Sequence, residues 1–267
     1  MENSLIGLTN VNIELTNKCN KSCWMCGRRK IEKENSNFEQ FYNKEIEFSL
    51  LKKIASELPP GIVVQLHNNG ESLLYSKFGE AVDLFKKQIT NIVTNGKLLI
   101  KKHDEIINKL DTMSISVFEN DVEAEDQYEI IKEFLKLKKS EKPFTSLRLI
   151  GNVNQKKYED LGCQIITRTL HSPMGSFSYK RNPTIPEIGI CLDFLNHLAI
   201  NSYGDVSICV RFDPNKLGVI GNVLDETISD IWNGEKRMQW KNLHIKGERD
   251  KIELCSTCEY WGVPTGN

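Results

Sequence analysis

Cys19, Cys23 and Cys26 follow one another with the spacing C-x3-C-x2-C. Thiolates are soft ligands that favour zinc and iron–sulfur centres. A structural zinc ion takes four protein ligands in a closed tetrahedron, and this trio is one short. A cubane iron–sulfur cluster held through three of its irons leaves the fourth iron open to another molecule. Cys191, Cys209, Cys255 and Cys258 form a second group, with spacings of x17, x45 and x2. Four thiolates close a coordination sphere, around zinc or around a four-iron cluster. The eighth cysteine, Cys163, opens an apolar-alternating run. It reads as a small buried apolar residue, with a hydrogen-atom donor as the alternative.

Composition bounds what surrounds these thiols. The chain has 267 residues, 39% apolar and 27% charged, with a formal net charge of −1. It is long enough to bury a sizeable core. With no basic stripe, nucleic acid is not an expected partner. No apolar run of transmembrane length and no signal peptide are seen, so no membrane association and a cytoplasmic location are expected. There thiols stay reduced, and clustered cysteines point to metal or catalysis rather than disulfides.

Strands and helices alternate along the first two thirds. The expected strands are Val11–Leu15, Ile62–Leu66, Asn91–Thr94, Thr112–Val117, Ser146–Ile150 and Cys163–Arg168. The expected helices are Phe48–Leu58, Phe78–Lys87, Leu98–Leu110, Glu123–Lys138 and a short Tyr158–Leu161, with the stop Pro59-Pro60-Gly61 after the first. Thr16 to about Phe41 reads as a polar loop. Single helices between strands imply right-handed crossovers and a parallel sheet. The expected fold class is α/β, a partial (β/α)6 TIM-like barrel with a small C-terminal β-hairpin and helix subdomain. Chemistry in such folds sits on the loops after the strands, where the cysteine trio falls. After about His171 the pattern becomes turn-rich, with His171-Ser-Pro-Met-Gly175 and Arg181-Asn-Pro183. Leu198–Asn201 and Val206–Cys209 flank Ser202-Tyr-Gly-Asp205 as a hairpin, and Thr227–Leu243 has helical spacing. The expected division is residues 1–170 and 171–267.

The cysteine loop after a first strand resembles the signature of the radical S-adenosylmethionine (radical SAM) enzymes. That resemblance implies a 4Fe–4S cluster on Cys19, Cys23 and Cys26. Its open iron would chelate S-adenosylmethionine and cleave it to a 5′-deoxyadenosyl radical. Further matches fall after successive strands. Asn69-Gly70-Glu71-Ser72 resembles the motif that receives the ammonium of S-adenosylmethionine, and Thr94-Asn95-Gly96 the turn near its ribose. Ser116 is a candidate ribose contact, and Ile150, in Leu149-Ile150-Gly151-Asn152-Val153, a candidate adenine contact. The family usually has an aromatic residue before the third cysteine; here it is Met25, with Trp24 one place earlier.

The C-terminal quartet is similar to the twitch subdomain, a reduced form of the SPASM extension. That likeness implies one auxiliary 4Fe–4S cluster on Cys191, Cys209, Cys255 and Cys258, against structural zinc as the alternative. Length, the single auxiliary site and the quartet spacing resemble the family's aminocyclitol alcohol dehydrogenases. The implied reaction oxidises an alcohol of a small sugar-like or cyclitol substrate, with an external donor such as flavodoxin or ferredoxin. Arg168, His171 and Arg211 are candidates to bind that substrate or move its proton. Peptide or protein modification is the alternative enzymatic reading. Against it, only eighteen residues precede Cys19, too few for a leader-binding domain. A zinc-stabilised binding module is the non-enzymatic alternative.

Overall fold

The computed structural model describes residues 5–34, 43–170 and 190–258. Six strands lie side by side in chain order, each parallel to the last: β1 Asn10–Ile13, β2 Val63–Gln65, β3 Ile89–Thr94, β4 Thr112–Phe118, β5 Phe144–Ile150 and β6 Gln164–Arg168. The helices between them are α1 Arg28–Glu34, α2 Phe48–Glu57, α3 Phe78–Leu84, α4 His103–Ile106, α5 Ala124–Leu137 and α6 Lys156–Glu159. The strands and crossovers fall where hydrophobic periodicity puts them. Two segments differ. Leu98–Leu110 folds as turns around the single turn of α4, and Asn108 there has φ 62°, left-handed backbone that ends a helix. Its apolar residues Leu99, Ile106 and Leu110 are nonetheless buried. The stretch expected as loop contains α1, whose Arg29–Glu32 ion pair links successive turns.

The sheet has two unlike faces. Val11, Ile13, Val64, Ile92, Met113, Ile115, Leu147 and Leu149 are buried in the main core. They pack beneath Leu51 and Ile54 of α2, Phe78 of α3 and Phe134 of α5. On the opposite face, register brings Asn12 beside Gln65, Gln65 beside Asn91, Ser114 beside Ser146 and Ser116 beside Arg148. A parallel sheet usually buries apolar residues on both faces. A polar second face therefore marks a surface built to receive something other than core.

The remaining elements are α7 Leu192–Asn196, β7 His197–Ile200, β8 Asp205–Ser207, β9 Val219–Asn222, α8 Ile228–Asn233, α9 Glu235–Ile245 and α10 Glu253–Ser256. The expected hairpin is β7–β8, antiparallel, and β9 extends it. β7 also lies parallel to β1, with Val11 opposite Leu198 and Ile13 opposite Ile200. The molecule is thus an α/β fold on one mixed nine-stranded sheet, ordered β6-β5-β4-β3-β2-β1-β7-β8-β9. Main core and sheet run without interruption from β1–β6 into Leu198, Ile200, Val206 and Trp232. Thr227–Leu243 is two helices rather than one. They meet at Gly234, which is extended (ψ 152°). A second, smaller cluster joins Phe194, Ile208, Ile252 and Leu254. No helix among the described residues is long and apolar enough to cross a membrane.

Candidate functional site

The cysteine trio occupies the loop after β1, at the carboxyl end of the parallel strands. Cys19, Cys23 and Cys26 are all reduced and half-buried. The Cys26 N–H donates to Cys23 O (3.1 Å), and the Arg29 N–H to Cys26 O (3.0 Å), which bends the loop into the start of α1. Buried Arg28 fixes it from beneath, its Nη1 donating to Asn17 O (2.5 Å) and Asn69 O (3.4 Å). Lys21 fixes it from the side, paired with Asp121 at 2.6 Å with both side chains 3% exposed. Burial and then the neighbouring Cys26 and Cys19 push the Cys23 thiol up to about 12. A thiol held so far from its charged form suits a bound cationic centre, which supplies the missing compensation. Met25 is half-buried, and exposed Trp24 turns its Nε1–H to Glu119 O (3.0 Å) in the loop after β4. A cavity of about 310 Å³ opens there, lined by Asn20, Cys23, Trp24, Phe118, Asp121 and Val122 among others.

The next two loops pack onto this one. A Cβ on Gly70 would lie 2.1 Å from Thr16 O and 2.7 Å from Lys18 O, so the two backbones touch and only glycine fits. The Glu71 N–H donates to Lys18 O (2.8 Å). The Glu71 carboxylate is 2% exposed. It accepts from Leu73 N, Thr94 Oγ1 and Asn95 N at 3.1, 2.8 and 2.8 Å. It therefore ties the loop after β2 to the end of β3. Burial pushes its carboxyl up, against the pull of those donors. Asn95 Nδ2 donates to Asn20 Oδ1 (2.8 Å) and lies 4.0 Å from Cys19 Sγ. Asn69 donates through both its nitrogens to Glu14 Oε2 (3.2 Å), and Glu14 Oε1 accepts from Ser202 Oγ (2.9 Å) in the β7–β8 turn. Glu14 thus clasps three segments at the end of β1.

The structure brings Asn69, Gly70, Glu71, Thr94 and Asn95 around the cysteine loop. Ser116 and Ile150 stand further along the polar face, on β4 and β5. Arg168 ends β6 beside Ile150. His171 lies outside the described residues, as do the turns at 171–183. Sequence reasoning missed Arg148. It is half-buried next to Ser116, with Arg168 close enough to depress it after burial, and neither guanidinium has an ion-pair or hydrogen-bond partner among the described residues. It also missed half-buried His67, whose Nδ1 accepts from Val93 N (3.2 Å). Burial, then Arg148 and His197, lower His67 to about 3, so it is neutral at physiological pH.

The quartet lies in the C-terminal extension. Cys191, Cys209 and Cys255 pack on the second apolar cluster. Burial first, with Cys258 also raising both, pushes Cys209 and Cys255 up to about 12. Arg211 is half-buried, and its backbone N–H donates to Cys209 Sγ (3.5 Å). The next residue, Phe212, packs on the cysteine trio's own loop: a Cβ on Gly27 would meet its ring at 2.6 Å. Among the described residues, no three His, Cys, Asp or Glu side chains converge as tightly as a single metal ion requires. Cys163 stands half-buried against the main core, away from both groups.

Residues 191–259 match the SPASM family model, an iron–sulfur cluster-binding domain. The S-adenosyl-L-methionine-dependent 2-deoxy-scyllo-inosamine dehydrogenase of Niallia circulans is 24% identical over 263 residues, covering 96% of this chain and 94% of that one. The chain carries a C-terminal SPASM match and is similar along nearly its whole length to this S-adenosyl-L-methionine-dependent dehydrogenase. Its fold agrees with those of solved structures. BtrN in complex with AdoMet and 2-DOIA aligns over 95% of this chain and 93% of that one, with TM-score 0.60 and 18% identity. Streptococcus suis SuiB bound to precursor peptide SuiA aligns over 94% and 71%, with TM-score 0.63 and 12% identity. The SPASM match begins at Cys191 and takes in all four quartet cysteines.

Proposed function

We propose that the chain is a radical SAM dehydrogenase that oxidises an alcohol carbon of a small sugar-like or cyclitol substrate to a ketone. The observation that carries this is the pairing of a three-cysteine loop after β1 with a separate four-cysteine group in one continuous fold. In this reading β1–β6 curve into the family's incomplete barrel over residues 1–170, and residues 171–267 supply linker and twitch subdomain. Cys19, Cys23 and Cys26 hold one 4Fe–4S cluster; Cys191, Cys209, Cys255 and Cys258 hold the other. When bound, the first cluster with S-adenosylmethionine supplies a radical that takes a hydrogen atom from carbon, and the second supplies an acceptor for the remaining electron.

The chain's own residues bind and orient. The backbone around Asn69 and Gly70, with Thr94, Asn95 and Ser116, forms the wall along which S-adenosylmethionine lies, and Met25 and Ile150 give it apolar contacts. Arg148, unpartnered beside Ser116, suits the carboxylate of that ligand. Arg168 and Arg211 bind the substrate, and His171 binds it or takes its hydroxyl proton. A flavodoxin or ferredoxin in the cytoplasm is the proposed electron donor. The test is anaerobic incubation of reconstituted protein with reductant, S-adenosylmethionine and a cyclitol or amino-sugar alcohol deuterated at the oxidised carbon. Deuterium is expected in 5′-deoxyadenosine, one equivalent per carbonyl formed. Label returned to a redox-neutral product, or a new C–C or C–S bond in place of a carbonyl, would sink the dehydrogenase reading.

A further inference from the structure

His244 stands in the last turn of α9 and is 1% exposed. Its ring stacks on Phe194, with centroids 4.4 Å apart and planes at 16°. Nδ1 accepts the backbone N–H of Cys191 (3.5 Å), so in the neutral ring Nε2 carries the proton. Nε2 lies 3.8 Å from Cys255 Sγ, within reach of an N–H···S hydrogen bond. One imidazole therefore braces two members of the quartet, the backbone of one and the sulfur of the other. Arg249 Nη1 adds a bond to Cys255 O (2.5 Å), and the Arg211 N–H one to Cys209 Sγ (3.5 Å). At the cysteine trio, Asn95 Nδ2 stands 4.0 Å from Cys19 Sγ.

A donor aimed at a cluster sulfur draws charge from it and favours the reduced, more negative state, and such bonds are among the levers that set cluster potentials. We propose that His244 is a positioning residue that raises the reduction potential of the auxiliary centre through its bond to Cys255, fitting that centre to accept an electron. This rests on reading the quartet as a cluster site. The ring's role is specific. Stacking on Phe194 fixes its plane, the Cys191 N–H fixes its tautomer, and burial keeps water from replacing the donor.

The experiment uses full-length chain with Cys19, Cys23 and Cys26 changed to alanine, so that the quartet holds the sole cluster. Reductive titration followed by electron paramagnetic resonance compares this parent with His244→Phe, which keeps a stacked ring without an N–H, and His244→Gln, which keeps a donor. The Phe variant is expected to shift to a more negative midpoint, and the Gln variant to recover part of the shift. A Phe variant with full iron content and an unchanged midpoint overturns the assignment while leaving the cluster in place. Zinc instead of iron in the parent overturns both. If the Phe variant fails to take up iron, the reduced parent with ¹⁵N-histidine decides. A hyperfine coupling to one imidazole nitrogen supports the bond, and its absence overturns it.

Discussion

Gly70 shows how little freedom the residues around the cysteine trio have. Any side chain there would drive a carbon into Thr16 O and Lys18 O, which are backbone and cannot swing aside. Gly70→Ala should cost about 1–3 kcal/mol, the usual scale for overpacking a close contact. Because the displaced atoms belong to the loop bearing Cys19, iron uptake at the trio should fall more than uptake at the quartet. Thermal unfolding with iron counts in the two alanine backgrounds, one for each cysteine group, checks this; equal losses at both sites would contradict it. The motif residues were legible because they are local: C-x3-C-x2-C, Asn69-Gly70-Glu71 and Thr94-Asn95-Gly96 each fit in one loop. Their supports were not. Arg28 reaches back to Asn17 and across to Asn69, Glu14 joins Asn69 to Ser202, and Arg148 acquires its place only when β4 and β5 pair. Glu71 was legible as a site residue, yet its carboxylate serves the loops, which spacing alone could not show.

Elements were readable where one face is apolar and opaque where none is. Periodicity located the six parallel strands and α2, α3 and α5. It missed α1, whose sequence RRKIEKE lacks an apolar stripe, and it ran α8 and α9 together across Gly234. The junction of β1 with β7 has a titratable group inside it. His197 Nε2 and Asn12 Oδ1 are 2.6 Å apart, and Asn12 Nδ2 donates on to His67 O (3.0 Å). Burial lowers His197 to about 4, with Asp193 pulling the other way. An unfolded histidine titrates near 6.5. Between those values the unfolded chain binds a proton that the folded chain refuses, so stability is intact above about 6.5 and falls as pH drops toward 4. His67 adds to the same trend, since it too is lowered. The decline should approach ~1.4 kcal/mol per pH unit for each such histidine. Denaturant midpoints at pH 7.5 and 5.0 measure it. His197→Asn should flatten the dependence, and identical slopes in the two proteins would exclude His197 as a source.

At the scale of the whole molecule, the expected boundary at residue 170 meets a sheet that does not stop there. β7 covers the outer edge of β1, Trp232 Nε1 donates to Ile6 O (3.2 Å), and Lys53 of α2 donates to Val223 O (2.6 Å). Chain order made the sequence of the first six strands predictable, because consecutive βα units lie side by side. It held no signal for β7 joining β1, since that contact depends on shape assembled from distant parts. A fragment ending at residue 170 should lose cooperative unfolding and associate through the bared edge of β1. Size-exclusion chromatography and a thermal melt would show this; a monomeric fragment with a sharp transition would support the boundary at residue 170. The same strand pairing sets a schedule during synthesis. Asn12 and His197 are 185 positions apart. At roughly 5–20 residues per second the ribosome needs about 10–40 s to make what separates them. Through that interval the strand leading into Cys19 has a neighbour on one side only, and the thiols of the trio are displayed on a half-framed loop. Anything that reaches those thiols in the nascent chain meets them before β7 arrives to close the frame.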